Sequence, residues 1–410
     1  MMSFQRRAVA TAAFCLGAAL LVAATSVHGQ KRYGPGVTDT EIKIGQTISY
    51  SGPGSVYAIT GRVYTAYMKM VNESGGINGR KVNLLSLDDA YTPPKTVEVT
   101  RKLVEQDEVL AMVGSMGTGP QIAVQKYLNG RKVPQMFITG SSPLLHDPKN
   151  NPWTLTFSLA YDIEGEIYAN YLLQAKPNAK IGLLYQNDDM GKAFMRSIRK
   201  GLGAKADAMI VKELTYESTD PTIDSQVLAM QASGADTFIS IATNKFQAQA
   251  IRKADAIGWK PTYIVPYIAS SVSAVLTPAG LERSAGIISA AWFKSPSDPR
   301  WAGDKGMQDY LGFMKKYLPA DDPGDTTPAY MFMGAQLSTM ALKRAGDNLT
   351  RENLLKQATT MGDVELPMLL PGIKVALTPS NYYMIRKAQI VQFDGKAWNP
   401  VGGVVSAGAQ

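Results

Sequence analysis

The stretch Val113–Leu128, VGSMGTGPQIAVQKYL, decides how the chain is read. An apolar run from Val109 to Val113 has the length of a buried strand, and glycine, serine and threonine bring it to a stop. A helix-like stretch then opens with Pro120, tolerated there because the first turn of a helix has no partners for its N–H groups. Strand, small-residue turn and helix together are the unit of an α/β fold. The free N–H groups at such a helix start make an anion site. The residues alone leave the anion open: a nucleotide phosphate, a dinucleotide, a catalytic oxyanion or a plain carboxylate.

The same alternation of periods extends in both directions. EIKIGQTIS (41–49) alternates as a strand, RVYTAYMKMVNESGG (62–76) repeats at helical spacing up to its glycine stop, and KVNLLSLDD (81–89) is a strand again. The helix of TVEVTRKLVEQ and the strand VPQMFIT complete a first series ending near Pro152. A second begins near Asp162: the strands AKIGLLYQ, AMIVKELTY, DTFISIA and TYIVP are separated by helical stretches, and the series ends near Ser289. Strands alternating with helices at this spacing predict parallel sheets covered on both faces. DKGMQDYLGFMKKYL, AYMFMGAQLSTMALKRAG and RENLLKQAT are helices with no strands of their own, so they are expected to cover the first sheet. YYMIRKAQIVQFDGKAW is a hairpin turning on Asp394 and Gly395. Two facing sheets place a ligand beyond the carboxyl ends of their strands, in a cleft that can close by hinge motion.

Composition narrows the function. The chain has 410 residues, 45% hydrophobic and 19% charged, as in ordinary globular proteins. Arg6 and Arg7 precede the apolar run AVATAAFCLGAALLVAA, and small residues follow, so residues 1–29 are expected to be a secretory signal peptide cleaved after Gly29. The only cysteine, Cys15, lies inside that segment, as does His28, which leaves His146 as the one histidine of the mature chain. Export without disulfides points to a bacterial periplasm. With one histidine and no cysteine, no zinc cluster can be assembled from those ligands, and no metal or cofactor is expected. The formal charge of +8 is scattered among acids, which argues against nucleic acid as a partner. His146, beside Asp147 and Pro148, reads as a loop residue.

Several chemistries fail on spacing. GSMGTGPQ has no lysine where a phosphate loop needs one, lacks the third glycine of a dinucleotide fingerprint, and no GxSxG elbow occurs. A Ser–His pair could use only His146 with Ser141 or Ser142. Asp88–Asp89, Asp188–Asp189 and Asp321–Asp322 lie at element ends, where acids more often make turns than acid–base pairs. A carboxylate ligand fits best: backbone N–H groups around Gly117–Gly119 and the Thr118 hydroxyl could hold it without a buried cation.

The order of IKIGQTISYSGPGSVYAITG, VNESGGINGRKVNLLSLDD, the Gly/Ser/Thr loop and IGLLYQNDDMGKAFMRSIRKGL resembles the periplasmic solute-binding proteins of branched-chain-amino-acid-type ABC transporters, over essentially the whole mature chain. The resemblance implies the type I periplasmic binding protein fold: lobe 1 from 38–158 and 292–372, lobe 2 from 159–291 and 373–407, and three crossovers between them. It implies no enzyme and no cofactor, but a monomer in the periplasm that hands a small organic carboxylate to a membrane permease. It places Thr118 at the carboxylate-binding position, within Ser115, Met116, Gly117 and Gly119. Ser141 and Ser142 would add polar contacts, and Tyr57 and Tyr330 would wall the cleft. On the second lobe the matching positions are Tyr161 or Asp162, Met190, Asn244 and Tyr267. Amino-acid binders of this family carry an acid for the ligand ammonium where this chain has Tyr267, and often an aromatic where it has Met190. A buried ammonium without a carboxylate partner costs several kcal/mol. The expected ligand is therefore an aromatic acid of benzoate or cinnamate type. The competing readings are a branched-chain or other hydrophobic amino acid held through Asp162, an exported hydrolase, or a receptor-like sensor.

Overall fold

The computed structural model describes residues 31–52 and 54–407; the expected signal peptide lies outside them. Five parallel strands build a first sheet: β1 (Glu41–Ile48), β2 (Lys81–Asp88), β3 (Met112–Val113), β4 (Gln135–Ile138) and β5 (Thr154–Thr156), side by side in the order β2-β1-β3-β4-β5. A second sheet repeats that order with β6 (Ile181–Gln186), β7 (Ile210–Tyr216), β8 (Thr237–Ile241), β9 (Thr262–Ile264) and β10 (Ile288–Ala291), arranged β7-β6-β8-β9-β10. β11 (Lys387–Phe393) joins β10 antiparallel, and β12 (Trp398–Ser406) extends the edge. The two series read from the sequence therefore share one wiring. Its strand order reverses between the first and third strand of each sheet, the point where α/β sheets bind ligands.

Burial explains the strands. β1 lies between β2 and β3 and is buried from Ile44 to Ile48, which is why EIKIGQTI carries almost no polar surface. Gly45 is needed there, since a Cβ on it would lie 2.9 Å from the Met112 sulfur. The hairpin turns where expected: Asp394 accepts the Lys396 and Ala397 N–H groups at 2.8 Å each. Its second strand runs on to Ser406, beyond the expected end at Trp398, as a mostly exposed edge.

Helices cover both sheets. Ala58–Glu73 buries Val63, Tyr64, Tyr67, Met68 and Val71 on one face, then stops at Gly75 and Gly76, both at positive φ. Asp188 caps the helix Asp189–Leu202 by accepting the Gly191 N–H at 3.0 Å, and Arg199 and Lys200 sit at its negative end. That helix packs on Tyr161–Ala175 so closely that a Cβ on Gly165 would meet Ser197 Oγ at 1.8 Å. After Ala291 the chain returns to the first sheet, where Thr326–Ala345 packs on Ala58–Glu73 and against β4, then crosses back to β11. The late helices join the first lobe as expected, but only Thr326–Ala345 packs directly on the sheet; Lys305–Tyr317 packs on Ala58–Glu73 and Arg351–Thr359 on Thr326–Ala345. The architecture is two-lobed α/β, with three crossings.

His146 does follow a short turn, Pro143–Leu145, but is buried rather than a surface loop residue. Its ring stacks on Tyr383 at 4.4 Å, and burial pushes its pKa down to about 4.

The turn after β3 shows how tight the packing is. Gly114 has φ +57°, and a Cβ there would sit 2.2 Å from the fully buried Tyr64 ring. Gly114→Ala should cost about 2–4 kcal/mol, from overpacking and the left-handed backbone together. Coincident urea midpoints for wild type and variant would contradict this account.

Candidate functional site

Past the carboxyl ends of both sheets lies a cleft of about 730 Å³, counted out to its mouth. From the first lobe it is lined by Tyr57 and Thr60, by Tyr91 beyond β2, by Met116–Thr118 beyond β3, and by Thr139 and Gly140 beyond β4. The second lobe supplies Met190 beyond β6, Thr243 beyond β8, and Tyr267 and Ile268 beyond β9. Tyr161 and Phe293 enter from the crossings, and Thr326, Thr327, Tyr330 and Met331 from the helix that returns to the first lobe. None of these lining residues carries a charged side chain. Burial raises the Tyr57 hydroxyl to about 12 and those of Tyr91, Tyr161, Tyr267 and Tyr330 further still, so the phenols stay neutral.

The anion end is built by the opening stretch. Gly117 takes φ +101° and packs on Tyr91, and the helix Thr118–Gly130 starts immediately after it. Sheet-like bonds continue past β3 and hold the turn: the Met116 N–H donates to Thr47 O at 3.1 Å and the Gly117 N–H to Thr139 O at 3.0 Å. Thr118 and Gly119 are the first two helical residues, whose N–H groups have no intrahelical acceptor. A Cβ on Gly119 would meet nothing within 4 Å. The Thr118 hydroxyl lies 3.1 Å from that of Tyr161, whose ring stacks on Phe194 at 4.6 Å.

At the other end the aromatics converge on the fully buried Trp292. Tyr267 meets its ring edge-on at 5.8 Å, Tyr330 at 5.6 Å and Phe157 at 5.5 Å. The Tyr330 hydroxyl donates to Phe157 O, and the Ser158 hydroxyl bonds to both Tyr267 and Tyr330.

Of the residues singled out from the sequence, Tyr57, Met116, Gly117, Thr118, Tyr161, Met190, Tyr267 and Tyr330 come together on the cleft wall, and Gly119 lies at the helix start just behind it. The others face elsewhere. Ser115 is fully buried, and its hydroxyl accepts the Thr47 N–H at 3.1 Å. Ser141 pairs with Ser158, and Ser142 caps the turn to Leu144, both without exposure. Asn244 is buried beside the wall and uses its N–H on the Tyr57 hydroxyl; its neighbour Thr243 takes the lining position.

Asp162 is a correction of another kind. It accepts the Tyr383 hydroxyl at 2.8 Å, outside the lining, so it does not offer the cleft a partner for an ammonium. The acid nearest Tyr267 is instead Glu164, which has no exposure and accepts the Tyr267 N–H at 2.7 Å and the Tyr168 hydroxyl. Burial raises its carboxyl to about 8, so it is mostly neutral at pH 7. His146 does not pair with the Ser141 or Ser142 hydroxyl: its ring nitrogens face the Thr156 hydroxyl and Tyr382 O. Asp88, Asp188 and Asp322 serve turns and caps. No group of three or more acids, histidines or cysteines able to hold a metal occurs among the described residues.

The lining positions not anticipated fall into two kinds. Tyr91, Thr139, Gly140 and Thr243 lie just past strand ends, where the switch-point rule alone could have found them; Tyr91 also has φ +57°. Ile268 and Phe293 also follow strand ends, those of β9 and β10, whereas Thr60, Thr326, Thr327 and Met331 reach the cleft through tertiary packing and carry no local signal.

Glu164 gives a pH prediction. A carboxyl raised from 4.5 to about 8 on folding contributes stability that is complete below pH 4.5 and is lost as pH rises through 8. Glu164→Gln keeps an acceptor for Tyr267 and cannot ionise. Its stability relative to wild type should therefore rise between pH 5 and 8, by on the order of a few kcal/mol. Parallel pH profiles in urea titrations would exclude a neutral Glu164.

Comparison with known proteins agrees with the architecture. The chain is 24% identical over 169 residues to an amino acid binding protein of Pseudomonas aeruginosa, covering 40% of this chain and 44% of that one. It is 23% identical over 324 residues to Leu/Ile/Val-binding protein homolog 1 of Brucella suis, covering 76% and 81%. Among solved structures, a branched-chain amino acid ABC transporter protein of Thermus thermophilus with bound valine superposes with TM-score 0.82 at 17% identity, over 91% of this chain and 98% of that one. A fatty acid ABC transporter substrate-binding protein from Thermomonospora curvata gives 0.77 at 22%, over 92% and 95%. A solute-binding protein of an R. palustris ABC transporter in complex with benzoate gives 0.74 at 18%, over 90% and 98%. The periplasmic binding protein family model matches residues 41–397, so the chain belongs to the periplasmic binding protein family.

Proposed function

We propose that this protein is the periplasmic solute-binding component of an ABC importer, closing on a small aromatic carboxylic acid of benzoate or cinnamate type and delivering it to a membrane permease. One observation carries the ligand class: a cleft lined by tyrosines, threonines and methionines holds no charged side chain. An α-amino acid would bring an ammonium into that lining without a carboxylate to meet it, at a cost of several kcal/mol. A carboxylate is served by the dipole and N–H groups at Thr118–Gly119 and by neighbouring hydroxyls. The body of an aromatic acid suits the faces of Tyr57 and Tyr267 and the soft sulfur of Met190. The benzoate-bound relative is consistent with this choice. The second reading, a hydrophobic amino acid, draws on the relatives named for amino acids and on the valine-bound structure.

Calorimetry separates the two. Benzoate or cinnamate should bind and outcompete leucine, isoleucine and valine, and their methyl esters should bind far more weakly. Thr118→Val, which removes one hydrogen bond to a charged group, should weaken the acid by about ten- to a hundredfold. Saturation by micromolar leucine with every aromatic acid inert would replace the aromatic reading by the amino-acid one.

Closure has its own signature. With a saturating aromatic acid, small-angle scattering should report a smaller radius of gyration than without it. An unchanged profile at verified saturation would contradict a closing cleft.

A further inference from the structure

A second chamber of about 600 Å³ adjoins the cleft and shares three of its walls, Tyr267, Phe293 and Thr326. Its character differs. Where the cleft has no charge, this chamber holds Asp298 and Arg300, with Gln389 and Ser295 beside them. Asp298, its side chain 4% exposed, takes both Nε and Nη2 of Arg300, and Nη2 also donates to Trp398 O at 2.7 Å. The Arg300 side chain is 46% exposed, and among the described residues no bond engages its Nη1, so that nitrogen is left as a donor at the chamber wall. Ala291, Leu370, Val391 and the two tryptophans Trp301 and Trp398 give the chamber its apolar surface. A guanidinium locked by a buried carboxylate is rigid and nearly neutral as a pair, which suits recognition of a hydrogen-bond acceptor better than capture of a second full charge.

We propose that the acid reaches past Phe293 into this chamber, so that the preferred ligands are elongated aromatic acids carrying a hydrogen-bond acceptor at the end remote from the carboxylate, read by Arg300. This rests on the reading of the cleft as an acid site. The chamber's mixture of apolar wall and guanidinium is what such a tail requires, and the cleft's own lining supplies no donor beyond neutral hydroxyls and backbone N–H groups.

The test uses three probes in calorimetry: benzoate, cinnamate and 4-acetamidocinnamate. In the wild type, 4-acetamidocinnamate should bind at least about tenfold more tightly than benzoate, the worth of added buried surface and one charge-assisted bond. Ala291→Phe narrows the chamber at a residue outside the cleft lining; it should abolish that gain and leave benzoate unchanged, which also shows that the variant is folded. Arg300→Lys keeps a cation for Asp298 and loses the guanidinium fork; it should lower the affinity for 4-acetamidocinnamate and leave cinnamate alone. Benzoate binding with no gain from length, or a gain that survives both substitutions, would overturn the extension alone. Failure of all three acids to bind would overturn the acid reading of the cleft and the extension with it.

Discussion

The lobes meet around Trp292. It lies directly after β10, at the point where the chain leaves the second sheet, and it is fully buried. Phe157, from the first crossing, packs edge-on against it; so do Tyr267 from the second lobe and Tyr330 from the helix on the first. Edge-to-face pairs have a preferred geometry and contribute about 0.5–1.5 kcal/mol beyond burial alone. Rings from both lobes and two crossings therefore share one packing centre, and the cleft wall is the outer face of that centre. A ligand touching Tyr267 and Tyr330 touches the residues that position the lobes.

The repeated strand order explains why the site has two matching sides. The strand order of each sheet reverses between its first and third strand, and loops beyond those strands reach the cleft: Met116–Thr118 on one side, Met190 and Thr243 on the other. The two sides are not chemically equal. The first offers a helix start at Thr118 with a left-handed glycine before it, a fixed positive pole. The second offers Met190, Thr243 and the tyrosine ring of Tyr267. On the proposed acid reading, the carboxylate points toward the first lobe and the organic body toward the second.

Much of this was legible in the residues. The change of hydrophobic period gave both sheets and the late helices, because buried parallel strands and amphipathic helices leave different repeats. The Gly-rich turn gave the helix start at Thr118, because a turn that needs positive φ leaves glycine in the sequence. Hydroxyl residues misled. Ser115, Ser141 and Ser142 look the same in sequence whether they face a ligand or satisfy a neighbouring group; here Ser115 and Ser142 accept backbone N–H groups and Ser141 pairs with the Ser158 hydroxyl. Asn244 missed by one residue, since a loop position one step along faces the opposite way. Met331 had no signal at all: its place in the cleft follows from how the helix returning to the first lobe packs, and that is a long-range property.

The position of Glu164 bears on the ligand's charge. The carboxyl that an ammonium would need is present within bonding distance of residue 267, but it points at the backbone of Tyr267 rather than past it, and burial holds it mostly neutral. Its second bond is with the Tyr168 hydroxyl, which also lies 2.9 Å from Val265 O and accepts the Ala290 N–H. Glu164 thus fastens β9 and β10 to the helix beginning at Tyr161, and moving it to serve a ligand would break three elements' contacts at once. A carboxylate on residue 267 itself would have to ionise beside this buried acid, and two acids in one apolar environment raise each other's pKa. Tyrosine at 267 and glutamate at 164 are in that sense one arrangement: the acid is kept behind the wall, and the wall it supports presents no charged side chain.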